Sequence, residues 1–511
     1  MMMTMDWKKL QNGSDIRGVA LEGVPGEQVN LTDEVARILG LCFVEWLRRK
    51  GAQGELRIAI GTDCRLSGPS LSLAFANGAR KAGATVVNCG LASTPAMFMT
   101  TVDKELNVAA SVMVTASHLP FNRNGLKFFT PKGGLDKGDI ATLLDIAEQG
   151  AYHQAEAVGG YETADFMTRY AHHLENYIRQ GVGAAATAEP LKGMHIVVDA
   201  GNGDGGFFEQ ILRNLGADTE GSQFLEPDGH FPNHIPNPEN EQAMAAISQA
   251  VVRVGADLGV IFDADCDRAA IVDAAGREIN RNRLIALISA ILLDKEPGAT
   301  IVTDSVTSSG LAQFITEWGG VHYRYKRGYR NVIDEAVRLN AAGIDCPLAI
   351  ETSGHAALRE NHFLDDGMYL VTVLIVEAMR LKQEGKELSS LLDGLREPVE
   401  SVELRLNITA PDFREAGRTV IERVMDHASY ETDWHIAPDN REGVRINFDL
   451  DDGLQNGWFL LRLSVHDPVL PLNVESDVPG GVRTMLSKLL SVLDGIEDID
   501  ISPIRAYLSK N

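Results

Sequence analysis

Three aspartates, Asp263, Asp265 and Asp267, stand at alternate positions in FDADCDRAAIV and are followed at once by Arg268. Carboxylates this close repel one another unless a cation sits among them, although a solvated turn also tolerates alternating Asp. The flanking runs ADLGVI and AAIVD have the composition of buried strands. The triplet therefore falls at the carboxyl end of a strand, where open α/β sheets place their ligands. Three hard oxygen donors from one tight loop suit Mg²⁺, which takes few protein carboxylates and keeps positions for water and a phosphate oxygen. An adjacent cation, Arg268, suits a phosphate.

Five further loops carry residues with chemistry. In TASHLPFNRNGLK, Ser117 and His118 follow a strand; they make either a hydroxyl-closed turn with a surface histidine or a phosphoryl carrier whose oxygens complete the cation's sphere. Lys127 would then neutralise charge on the transferring group. In ETSGHAALREN, Glu351 and Ser353 suit sugar hydroxyls, with His355 and Arg359 nearby, while a helix cap by Thr352 or Ser353 is the plainer alternative. GSDIRG offers Arg17, either at a site or paired to Asp15, and RYKRGYR offers Lys326, Arg327 and Arg330 as a solvated basic run or one wall of an anion site. In RLSVHDP, Arg462 and Ser464 have the makings of a phosphate loop or of an exposed hairpin turn.

These loops need elements to hold them, and the chain supplies a plan used three times. RIAIGTDCRLSG, HIVVDAGNGDGG and TIVTDSVTSSG each run from an apolar strand ending in Asp, through a small-residue turn, into a helical stretch. About fifty to sixty residues after each comes a second apolar strand that opens into a polar loop, the repetition expected of three related α/β domains. From roughly Pro398 the character changes: SVELRLNITA, GVRINFDL and WFLLRLSV alternate as half-exposed antiparallel strands do, with helical stretches between and after them. A separate α+β domain is expected there.

Bulk properties narrow the function classes. At 511 residues the chain exceeds one core. A formal charge of −24 without a basic stripe excludes a nucleic-acid binder, though not an anionic small substrate. The five scattered cysteines without a CxxC pair suggest reduced thiols, MMMTMDWKKLQNGSDIRG lacks a signal-peptide core, and LIALISAILL is too short to span a bilayer. A cytoplasmic protein without membrane association is expected, as a monomer or weak dimer.

In order along the chain, DIRG, TASHLPFNRNGLK, PDGHFPNHIPNPEN, DADCDR, ETSGHAALREN and DDG resemble the α-D-phosphohexomutase family, most closely its phosphomannomutase and phosphoglucomutase branch. The resemblance implies three related mixed-sheet α/β domains (1–164, 165–276, 277–393) and a C-terminal α+β domain (394–511) around a central cleft. It implies a phosphoserine at Ser117, with Mg²⁺ held by Asp263, Asp265 and Asp267 together with the serine's group. The phosphoserine donates to a hexose 1- or 6-phosphate, the resulting bisphosphate reorients, and the other phosphate returns to serine; catalytic hexose 1,6-bisphosphate is therefore the activator. Arg17, His118, Lys127, Arg268 and His355 match positions around the reacting centre, and Glu351 and Ser353 match the sugar-holding loop.

The departures from the family pattern fall mostly on the phosphate grip. Leu119 replaces the usual Asn of TASHNP, and Arg327 and Arg330 occupy the Val and Lys positions of a VGxK pattern. The usual R-P-S-G/N-T-E-P keeps Arg462, Ser464 and Pro468 but carries Val465, His466 and Asp467, with Pro471 where another Arg is common. Val465 is β-branched and strains a left-handed turn, and neutral His466 gives one ring donor. Weaker phosphate affinity is expected, with Arg327 and Arg330 restoring positive charge. Two alternatives stand beside a glucose or mannose phosphate mutase: a mutase for another sugar phosphate such as glucosamine phosphate, and a slow sugar-phosphate-binding paralogue.

Overall fold

The computed structural model describes residues 5–183, 189–464 and 467–510. The chain packs as two compact units, residues 1–284 with 353–391 and residues 285–352 with 392–511. The threefold plan is realised as three parallel strand pairs: Arg57–Thr62 with Ala110–Val114, Ile196–Asp199 with Leu258–Phe262, and Thr300–Thr303 with Leu348–Ile350. Each strand is almost wholly buried, which is why they read as apolar runs rather than alternating ones.

In the first unit, the strand Arg57–Thr62 lies between Thr85–Leu91 and Ala110–Val114, and the sheet continues antiparallel through Arg123–Thr130 to Asp15–Val19. Helices Asp33–Arg49, Gly68–Lys81 and Lys137–Gln149 belong to the same region, whose core gathers Phe43, Phe75 and Phe128. A second sheet orders Ile196–Asp199, Leu258–Phe262, Ala269–Asp273 and Glu278–Ile279. The strands on either side of the aspartate triplet pair antiparallel, Phe262 opposite Ala269, so the triplet is the turn of a buried hairpin. The helix Gly367–Gln383, capped by the Asp366 side chain, starts directly on that turn. A Cβ on Gly367 would lie 2.6 Å from the Arg268 carbonyl carbon, so only glycine permits this approach.

In the second unit, Thr300–Thr303 runs parallel to Val321–Arg324 and Leu348–Ile350, with helices Ser309–Glu317 and Tyr329–Ala341 alongside. The last region is an antiparallel sheet ordered Glu400–Asn407, Val469–Ser476, Gly457–Leu461, Val444–Phe448 and Trp434–Ile436, accompanied by helices Phe413–Ala428, Gly481–Leu493 and Ser502–Ser509. The α+β domain is as expected, but its exposure is not. Glu400–Asn407 alternates, whereas Val444–Phe448 and Gly457–Leu461 are buried almost throughout. Their second face is covered: Trp458 and Leu460 pack with Val306, and Arg445 lies over the Trp458 ring at 3.6 Å. All five cysteines are free, and no helix of the described residues is long and apolar enough to cross a membrane.

Candidate active site

Ser117 sits past the end of Ala110–Val114 in a left-handed conformation, φ 53°, which is costly for a residue with a Cβ and must be held by its surroundings. The holding group is Arg65. Its buried guanidinium donates to the carbonyls of Ser117 (2.5 Å), Leu119 (2.6 Å), Pro120 (2.8 Å) and Arg123 (2.9 Å). Asp63 fixes Arg65 in turn and also accepts from Thr115 Oγ1 (2.6 Å), whose oxygen takes the Ser117 N–H (2.9 Å). The serine loop is thus stapled from beneath, leaving its hydroxyl to face the aspartate turn. Ser117 Oγ donates to Asp263 Oδ2 at 2.8 Å and accepts from Arg268 Nη2 at 2.8 Å.

The turn itself is buried: Asp263, Asp265 and Asp267 are at most 1 % exposed. Arg268 closes onto Asp263 through Nε (3.0 Å) and Nη2 (2.8 Å). Lys127 bonds Asp265 Oδ2 at 2.8 Å and also Asp267 Oδ2, while Thr94 Oγ1 donates to Asp265 at 2.6 Å. Burial raises the Asp263 carboxyl well above its ordinary range, Arg268 offsetting this only in part and the neighbouring aspartates adding to it. Burial acts on Asp265 too, but the charge and hydrogen bond of Lys127 outweigh it and hold that carboxyl low. One oxygen each of Asp265 and Asp267 is buried without a hydrogen-bond partner among the described residues. Three carboxylates whose ligand atoms lie within 4.8 Å of one another, with two such orphaned oxygens, fit a hard divalent cation.

Two histidines flank this centre with opposite protonation. His118 Nδ1 accepts from Arg268 Nη2 at 2.6 Å; burial and the charges of Arg268 and Arg17 depress it to about 2, so it is a neutral acceptor. Burial also works against His355, yet Asp365, bonded to Nδ1 at 2.7 Å, and Asp267 at 3.9 Å push it up to about 9, making it a cation at neutral pH. Arg17 pairs with Asp15 at 3.0 Å, the plainer expectation, while its charge still reaches His118.

The remaining expected residues divide between roles. Ser353 is buried and its Oγ has no hydrogen-bond partner among the described residues. Neither Thr352 nor Ser353 caps a helix: Thr352 Oγ1 donates to Asp304 at 2.7 Å, and the next α-helix begins only at Gly367. Glu351 accepts the Gly328 N–H at 2.6 Å and so holds the RGYR turn. Arg327 Nε stands 4.0 Å from Asp304, and Arg330 faces Asp334 one turn along its helix at 3.0 Å. Arg462 is 7 % exposed with Nε unpartnered among the described residues. Ser464 closes the hairpin turn, its Oγ taking the Asp467 N–H at 3.3 Å and its N–H reaching the Val469 carbonyl at 2.9 Å. Val465 and His466 lie outside the described residues.

Sequence reading missed Arg65 and Asp63, which shape the serine loop, and Asp365, which orients His355. TDCRLSG had a signal in its strand-ending Asp, but nothing in it pointed toward Ser117, 52 residues away.

Models of the phosphoglucomutase/phosphomannomutase family match residues 8–152 as alpha/beta/alpha domain I, 168–276 as domain II and 280–399 as domain III. A phosphoglucomutase of Neisseria gonorrhoeae is 30% identical over 476 residues, covering 93% of this chain and 95% of the relative. A phosphomannomutase of Escherichia coli is 31% identical over 485 residues, covering 92% and 97%. A solved structure of a phosphoglucomutase/phosphomannomutase family protein from Burkholderia thailandensis superposes with a TM-score of 0.77 at 26% identity, covering 97% of this chain and 98% of that one. Members of this family are mutases, intramolecular phosphotransferases of the isomerase class. With three domain models matched in order and relatives aligned nearly end to end, this chain belongs to the α-D-phosphohexomutase family.

Proposed function

We propose that this chain interconverts the 1- and 6-phosphates of glucose or mannose, with Ser117 as the phosphoryl carrier. The observation that carries the reading is the serine hydroxyl seated 2.8 Å from both Asp263 Oδ2 and Arg268 Nη2 inside a buried carboxylate turn. A chain that only bound sugar phosphates would have no use for a strained, stapled serine there. Asp263, Asp265 and Asp267 would hold Mg²⁺, which when bound neutralises charge developing on the transferred phosphoryl group.

In the first half-reaction, a hydroxyl of the bound hexose monophosphate attacks the phosphorus on Ser117. An O–P bond forms to the sugar, the Oγ–P bond breaks, and the hydroxyl proton leaves to a base. Arg268 Nη2 already donates to Oγ and stabilises the serine oxygen as it departs with the electron pair. Neutral His118, held in one tautomer by Arg268, is an acceptor beside the same oxygen, its Nδ1 3.3 Å from Oγ. Cationic His355, fixed by Asp365, is the donor of the pair. The bisphosphate then turns over, and the second half-reaction returns the other phosphoryl group to Ser117. Glu351 and Ser353 would hold sugar hydroxyls in both orientations, and Arg327, Arg330, Arg462, Ser464 and His466 would hold the phosphate that is not reacting. Sugar bisphosphate acts as activator by rephosphorylating any free serine.

The test is a coupled assay with glucose 1-phosphate and mannose 1-phosphate, each with Mg²⁺ and catalytic bisphosphate, on wild type and Ser117→Ala. Turnover of either sugar that vanishes in the variant is expected; turnover that survives it rejects the carrier.

A further inference from the structure

The loop Asp439–Gly443 in the second unit is pinned along its length. Asp439 pairs with Arg324 at 2.5 Å, the Arg441 guanidinium lies over the Tyr323 ring at 5.2 Å, and Asn440 bonds both the Arg445 N–H (3.0 Å) and the Gly443 carbonyl (3.1 Å). Gly443 adopts φ +56° and lies so close to the end of Gly457–Leu461 that a Cβ would fall 2.2 Å from the Leu461 carbonyl oxygen and 2.8 Å from Arg462 Cα. The backbone is therefore fixed beside Arg462, and Glu442 is the one carboxylate that this turn delivers there.

Glu442 Oε2 accepts two hydrogen bonds, from Ser305 Oγ at 2.6 Å and from the Arg327 N–H at 3.1 Å. Arg462 is within electrostatic reach of this spot: the charges of Glu442, Arg327, Glu403 and Asp304 all bear on it. A hydroxyl, a backbone N–H ahead of a glycine and flanking guanidinium groups are the donors from which phosphate sites are made. Here the hydroxyl and the backbone N–H hold a side-chain carboxylate.

We propose that Glu442 is a tethered stand-in for the substrate's non-reacting phosphate, seated on Ser305 Oγ and the Arg327 N–H beside Arg462, and that a sugar phosphate binds by displacing it. This rests on the reading above that Arg327 and Arg462 hold that phosphate, and it adds a specificity rule. The seat is closed by a monoanion, so an incoming ligand must bring more charge than a carboxylate to open it, which favours dianionic phosphate over monoanionic competitors. Only the Glu442 side chain needs to move, because its loop is held on either side.

The experiment measures KM for glucose 6-phosphate and the inhibition constant of inorganic phosphate in wild type, Glu442→Gln, Glu442→Asp and Arg462→Gln. Glu442→Gln should lower both constants at least fivefold, since the competing charge is gone while a hydrogen-bond acceptor stays. Glu442→Asp should lower them less, its carboxylate being one methylene short of the seat, and it decides the matter should the Gln variant not fold. Arg462→Gln should raise both constants. If Arg462→Gln weakens binding but the Glu442 variants leave the constants unchanged or raised, Glu442 is a strut between loops and the proposal is overturned while the phosphate reading stands. If Arg462→Gln moves neither constant, the phosphate reading itself is lost and the stand-in with it.

Discussion

In the first unit an ammonium rests on carboxylates: Lys127 bonds Asp265 and Asp267. In the second a carboxylate rests on hydroxyl and amide donors beside arginines: Glu442 bonds Ser305 and the Arg327 N–H. Both regions bring like charges close together, and an uncompensated charge is expensive where it is buried. Each lowers that cost with opposite charge from its own chain, Lys127 and Arg268 on the aspartates and Glu442 beside the arginines. The two differ in how firmly the surroundings are fixed. The serine loop is held by four Arg65 hydrogen bonds to carbonyls, as an in-line displacement demands. The arginine seat uses one serine hydroxyl and one backbone amide and suits a phosphate that only has to be held.

The largest effect that would break this contrast is at the nucleophile. Ser117→Ala should cost on the order of 10⁴-fold or more in kcat, as loss of a covalent carrier does, with KM for the sugar phosphate little changed because the residues proposed to hold the phosphate are untouched. A fall in affinity of similar size would mean that one site serves both roles.

Next is the carboxylate turn. Asp265→Asn should lower kcat by roughly 10²- to 10³-fold and abolish the rise in melting temperature that Mg²⁺ is expected to give the wild type. That rise corresponds to about 2.7 kcal/mol at a hundred times the dissociation constant. Thermal melts with Mg²⁺ and with EDTA read it without any turnover. Arg462→Gln is smaller, about 1–3 kcal/mol in binding, and should appear as a raised KM with kcat nearly constant.

How far the sequence foretold this contrast depends on the range of each contact. The aspartate turn was legible because its three ligands lie within five residues and strands on either side announce burial. The parallel strand pairs were legible for a similar reason, their apolar runs being local signals. The ion contacts of Lys127 and Glu442 were not. Lys127 is 138 residues from Asp265, and Glu442 is 137 residues from Ser305; neither NGLK nor REGV carries a mark of the partner that folding supplies. The expected half-exposed strands failed similarly, since Trp458 and Leu460 are covered by Val306, about 150 residues earlier, which no local periodicity reports. Asp365 lay inside the recognised DDG stretch, but its bond to His355 depends on the turn between them.

A further effect, on stability rather than on binding or turnover, concerns the packing behind the arginine seat. Glu475 accepts from Trp458 Nε1 at 3.0 Å, and burial, only partly offset by Arg445 and that bond, raises it to about 7. A carboxyl that binds its proton more tightly when folded adds stability that is complete below its unfolded pKa and is lost as pH rises through the folded value. Stability should therefore fall between about pH 4.5 and 7, by an amount on the order of 3 kcal/mol. Glu475→Gln should flatten that slope in denaturant unfolding followed across pH; an unchanged slope would assign the dependence to other groups.

Ser117 as carrier of the phosphoryl group is read out by intact-mass and peptide mass spectrometry. Protein incubated with glucose 1,6-bisphosphate and Mg²⁺ should gain one phosphoryl group, mapped to the TASHLP peptide and discharged by glucose 6-phosphate, while Ser117→Ala gains none. A wild-type enzyme that turns over without ever carrying phosphate there, or carries it on another residue, would contradict the account.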